Sequence, residues 1–152
     1  MKKLMVALAV VVVACAALGI LAVSARAAAP TGHFTDLGDG TVRDNLTTLV
    51  WQQGTSPWPV YEAEPAAYCA TLAVPSGGWR LPTVAELQTL LDETVSRPSI
   101  DTTYFPGTPL EYFWTASSVA GYPAATWTVS FHDGSVYPGG APMVRNRVRC
   151  VR

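Results

Sequence analysis

Cys69 and Cys150 are the residues whose chemistry constrains this chain most. Beyond the hydrophobic N-terminal run they are the only cysteines. Neither sits in a CxxC pair, and His33 and His132 stand at no metal-ligand spacing from either. Two cysteines in an exported chain most simply form one disulfide. Such a bridge would tie the middle of the chain to its last strand, and the chain-entropy model values so long a loop at roughly 4–5 kcal/mol. A second group is Asp36, Asp39 and Asp44 in a glycine-rich stretch. Closely spaced carboxylates suit calcium, but the calcium-loop pattern needs more acids and a terminal Glu. Asp-Gly is also the ordinary hairpin dipeptide, so the triplet reads first as turns. No cofactor is otherwise expected, and calcium is the one that the sequence leaves open.

A third group carries binding chemistry. Arg145, Arg147 and Arg149 alternate along one stretch, and the guanidinium fork suits sulfate or carboxylate. Trp58, Tyr112 and Trp114 offer ring faces on which sugars could stack. Each has a structural alternative. Arg149 is expected to pair with an acid such as Glu86 or Asp101, and Arg80 to stack on Trp79. Trp51, Trp79, Trp114 and Trp127 fit a core. Asp101, Glu111, His132 and Asp133 could serve a hydrolase, but no spacing singles them out, so no catalytic set is assigned and no enzyme is expected.

The elements that must position these residues follow from the chain's punctuation. The length of 152 residues suits one domain. Lys2-Lys3, the apolar run Met5 to Val23 and Ala25-Arg26-Ala27 read as a signal peptide over 1–27. A linker over 28–33 and a domain over 34–152 follow. The competing readings are an uncleaved anchor and a lipoprotein cut before Cys15. The membrane would be a partner only through that segment. Residues 28–152 hold seven Arg, no Lys and all eleven acids, for a net charge of −4. An acidic, exported body excludes nucleic acid as a partner. The expected place is the periplasm, the cell surface or the medium.

Phe34 to Gln52 reads as a small β-meander turning at Gly38-Asp39-Gly40 and Asn45–Thr48. Tyr61 to Leu72 reads as a helix that presents Cys69 inward, with Pro65 near its first turn. Thr83 and Glu86 form a capping box ahead of a second helix, Val84 to about Glu93. Arg97 to Leu110 is irregular and proline-rich. Tyr112 opens a strand, and Ala125, Trp127, Val129 and Phe131 alternate on one face of the next. Val136-Tyr137 and Met143 to Val151 close the chain as strands.

These motifs, in this order, resemble the Lcl C-terminal domain family, named after the C-terminal domain of a bacterial collagen-like surface adhesin. The matching runs are Phe34-Thr35-Asp36, Gly38–Val42, Asp44–Thr47, Leu49–Gln52, Ala67–Leu72, Trp79–Thr83 with Glu86-Leu87, Ile100-Asp101, Phe105-Pro106, Phe113–Ser118, Trp127–Phe131 and Val148–Val151. Val50 replaces the commoner Met, and Phe113–Ala116 replaces Tyr-Trp-Ser-Ser. The resemblance implies an α+β, C-type-lectin-like fold with two helices packed on small antiparallel sheets. It also implies a surface or periplasmic module that adheres to glycan or another extracellular, polyanionic polymer. It carries no catalytic set. The same fold class includes formylglycine-generating oxidases, but those need reactive cysteines, and this pair reads as structural. A structural envelope protein without a small ligand is the remaining alternative.

Overall fold

The computed structural model describes residues 32–139 and 144–152. The expected signal segment 1–27, Cys15, most of the expected linker and residues 140–143, expected in the last loop and strand, lie outside the described residues.

Three small antiparallel sheets and two short helices are formed among the described residues. The first sheet joins β1 (Phe34–Asp36), β2 (Thr41–Asp44) and β3 (Val50–Gln52) in sequence order. Its first turn works because Gly38 and Gly40 take φ of 74° and 84°, where a side chain would be strained. Asp36 and Asp39 cap that turn by accepting from Gly38 N and from Thr41 N, at 2.8 and 3.1 Å. Asp44, fully buried, caps the next turn through Leu46 N and Thr47 N. Its Oδ1 also lies 3.4 Å from His33 Nε2.

β4 (Val60–Tyr61) precedes α1 (Pro65–Ala70). The helix is shorter than the expected Tyr61–Leu72 because Val60 and Tyr61 pair with the C-terminal segment instead. Pro65 sits in its first turn, where the missing N–H costs nothing. Six residues cannot hold a helix alone. Cys69 is bridged to Cys150, with 5.5 Å between their Cα atoms and 81 residues of sequence between them. Gln52 Nε2 also donates to the Tyr68 hydroxyl at 3.0 Å.

α2 (Val84–Gln88) begins at the expected capping box. Thr83 Oγ1 accepts from Glu86 N, and Glu86 Oε2 accepts from Thr83 N. The helix ends before the expected Glu93. Leu90 N and Leu91 N bond three residues back, to Leu87 O and Gln88 O, which tightens the chain into turns. Leu87 and Leu90 are still buried, so the apolar stripe was legible while its length was not.

Arg80 does not stack on Trp79. Its two terminal nitrogens donate to both Glu86 oxygens, at 2.8 and 2.6 Å, and Arg152 takes the Trp79 face at 5.3 Å. The Arg80 hydrogen bonds, helped by those from Thr83, hold the Glu86 carboxyl at about 2 against an ordinary 4.5. A carboxyl held low in the folded state stabilises it fully above its unfolded pKa and loses that contribution as pH falls. Stability should therefore drop between pH 4.5 and about 2 in part through this group. We expect Glu86→Gln to flatten that slope in urea titrations, by less than about 1 kcal/mol because the pair is solvated. An unchanged slope would remove Glu86 from the acid response.

The third sheet joins β5 (Tyr112–Val119), β6 (Tyr122–Ser130) and β7 (Val136–Gly139). Strand alternation splits β5 between two cores. Phe113 enters a cluster with Phe34, Trp51, Leu87, Phe105, Val129 and Phe131. Trp114, next in sequence, enters the other with Val60, Cys69, Trp79, Val148 and Cys150.

The C-terminal segment is not the continuous strand expected over Met143–Val151. Among the described residues only β8 (Arg145–Asn146) is regular, paired with β4. Beyond it Arg147 bridges Phe113 of β5, and Val151 bridges both Trp51 of β3 and Arg80. Val148 O accepts from Ser56 N, and Cys150 O from Gln52 N. One short stretch thus touches all three sheets in turn.

Candidate functional site

The five residues expected to bind ligand part company in the structure. Trp114 is 1% exposed, and its indole N–H is donated to Val60 O at 2.8 Å. It packs in the core and offers no face to a ligand. Arg147 is held from two sides: it donates to both Glu111 oxygens at 3.1 and 3.0 Å and to Ser56 O at 3.0 Å. Its fork is already filled by a carboxylate. Arg145 is exposed, with its guanidinium 4.3 Å above the Tyr61 ring and a hydrogen bond to the Tyr61 hydroxyl. Trp58 stands exposed between Pro57 and Pro59, in a loop pinned at Ser56 and Val60. Tyr112 is half-exposed at the start of β5.

The expected arginine face also breaks up. Arg149 shares sequence parity with Arg145 and Arg147 but is wholly buried. Its guanidinium donates to Gly54 O, Gln53 O and Thr108 Oγ1 and lies 4.8–5.7 Å from the rings of Phe105, Phe113 and Phe131. Glu86, one acid expected beside it, serves Arg80 instead. Burial pushes the Arg149 guanidinium down to about 9, which leaves it charged at neutral pH.

Tyr112 lines an open cleft of about 690 Å³ against the third sheet. Tyr122, Tyr137, Val119, Val144 and Asn146 line it too. Tyr122 and Tyr137 are 71% and 62% exposed. The register explains how they meet. Tyr122 pairs with Val119 across the β5–β6 turn, and Tyr137 pairs with Thr128 on β6, itself paired with Trp114. Gly139 lets β7 close onto this face: a Cβ there would sit 2.5 Å from Thr128 Cγ2 and 3.0 Å from the Trp114 ring. Sequence reasoning missed Tyr122 and Tyr137. The available signal was two large aromatics on hairpin positions that the core did not need.

The other candidates do not assemble. Asp36, Asp39 and Asp44 each serve their own turn, and among the described residues no three His, Cys, Asp or Glu come together to hold a metal ion. His132 Nδ1 lies 3.8 Å from Asp133 Oδ2 on an open hairpin. Asp133 is held at about 2, chiefly by the Ser135 hydroxyl and N–H. Glu111 belongs to Arg147. Asp101 caps its own turn through Thr103 N. Two smaller hollows share Leu91, Asp92 and Glu93 and are rimmed by acids.

These features define a small, mostly β, disulfide-tied domain with an open aromatic cleft. Among its described residues no helix is long and apolar enough to cross a membrane. The chain belongs to the Lcl C-terminal domain family, whose model matches residues 40–152. The family is the C-terminal domain of an adhesin-like protein, which suggests a non-catalytic role. No curated protein and no solved structure matches the chain.

Proposed function

We propose that this protein is an exported, non-catalytic adhesion module that binds carbohydrate in the Tyr112–Tyr122–Tyr137 cleft. The observation that carries the reading is the pair of highly exposed tyrosines on one sheet face beside Tyr112. Exposed rings add little to the stability of the sheet, since burying such rings is what stabilises a core. Rings with polar tips match the apolar faces and hydroxyl rims of sugars. The disulfide supports export, because such bonds persist in oxidising compartments. We read the architecture as C-type-lectin-like. Support comes from the long-range bridge and from β3 pairing with the chain's end, where Val50 and Arg152 exchange backbone hydrogen bonds at 3.0 Å.

A glycan array probed with the purified protein tests this. We expect a retained glycan whose binding weakens about tenfold in Tyr122→Ala or Tyr137→Ala, the equivalent of about 1.4 kcal/mol for one lost stacking contact. Both side chains are exposed, so the variants should melt as the parent does. An array without hits would favour a structural envelope protein, and variants that bind like the parent would put the glycan outside this cleft.

A further inference from the structure

We infer that the cleft takes a neutral polysaccharide and not a sulfated or carboxylated one, an inference that rests on the carbohydrate reading above. None of the described side chains lining the cleft carries a charge. Its polar side chains are the tyrosine hydroxyls, the Thr128 hydroxyl and the Asn146 amide, neutral groups suited to sugar hydroxyls.

The arginines that could answer an anion are occupied or elsewhere. Arg147 is clamped by Glu111, and Arg80 by Glu86. Arg149 is sealed in the core, while Arg152 lies over Trp79 and Arg145 over Tyr61. Arg43 on β2 and exposed Arg97 do not line the cleft. A sulfate or carboxylate entering the cleft would lose its hydration without meeting a cationic fork. Acids flank the site too: Glu111 adjoins Tyr112, and Glu62 accepts from Thr126 Oγ1 on β6. With residues 28–152 carrying a net −4, the wider field repels a polyanion.

Salt separates the two ligand classes, because screening weakens charge contacts and leaves stacking and neutral hydrogen bonds in place. The probes are dextran and laminarin as neutral polysaccharides and heparin as the sulfated one. Each is titrated calorimetrically against the purified protein at ~0.05 and ~0.5 M NaCl. We expect a neutral probe to bind, with Kd moving less than about twofold between the two salts, and the signal to fall about tenfold in Tyr137→Ala. Heparin binding that collapses in high salt, with no neutral probe bound, overturns the inference. If Tyr137→Ala weakens that heparin binding, the cleft reading stands and only the ligand class is wrong. Binding of any probe that ignores Tyr137→Ala, or no binding at all, overturns the cleft reading together with the inference.

Discussion

Replacing both Cys69 and Cys150 by Ala, or reducing the bridge, should lower the unfolding free energy by roughly 4–5 kcal/mol. The closed loop spans 81 residues of sequence, so opening it returns a large conformational entropy to the unfolded chain. The effect is local as well. A six-residue α1 has little stability of its own, and the bridge fixes it against the C-terminal segment beside Val148, Trp79 and Trp114. The expected fall in Tm is about 15–25 °C for a domain of this size. Both sulfurs are buried, so reductant should act slowly on the native state and quickly once denaturant is added. Thermal melts of the parent and the double variant check this, and matching midpoints would show that the bridge contributes little.

The second large effect belongs to Arg149. Arg149→Ala should cost about 3–5 kcal/mol, combining a core cavity with stranded acceptors. Gly54 O and Gln53 O would lose their buried donor, and Phe105, Phe113 and Phe131 would lose the cation between them. Arg149→Met separates the two contributions. It restores most of the volume and removes the cost of burying a charge. The orphaned carbonyls remain, so it should sit about 1–3 kcal/mol below the parent. Urea titration of the three proteins gives the order. An alanine variant within about 1 kcal/mol of the parent would mean that the cavity collapses or that water fills it.

What the sequence made legible was local. The Thr83–Glu86 box and the Gly38–Gly40 turn each depend on a few neighbouring residues, and each stands where expected. Of the predicted alternation and core, Val129 and Phe131 are buried, while Ala125 lines the cleft and Trp127 is half-buried outside both core clusters. The disulfide was legible because the body of the chain holds only two cysteines. The Arg145–Arg147–Arg149 face was not, because parity predicts one face only for a continuous strand. Here the segment leaves β4 after Asn146, crosses to β5 at Arg147 and reaches β3 by Val151, so Arg149 turns into the core between those contacts. Trp114 and Tyr112 share a strand face, yet one is buried and the other half-exposed. What decides between them is how far the Val60 and Val148 cluster extends over that face, which is tertiary information. The cleft was missed for the same reason: its tyrosines converge only once β5, β6 and β7 pair.

Residues 145–152 also set which parts of the fold can be completed first. The first sheet takes its outer partner from Cys150 to Arg152, β4 its only partner from Arg145-Asn146, and α1 its covalent tie from Cys150. None of these contacts can form before residues 145–152 have been synthesised. Until then the chain holds three unfinished pieces, and contacts at such sequence separation form slowly. Completion of the first sheet, of the β4 pairing and of the α1 tie therefore waits for this one segment, while β5, β6 and β7 can pair before it.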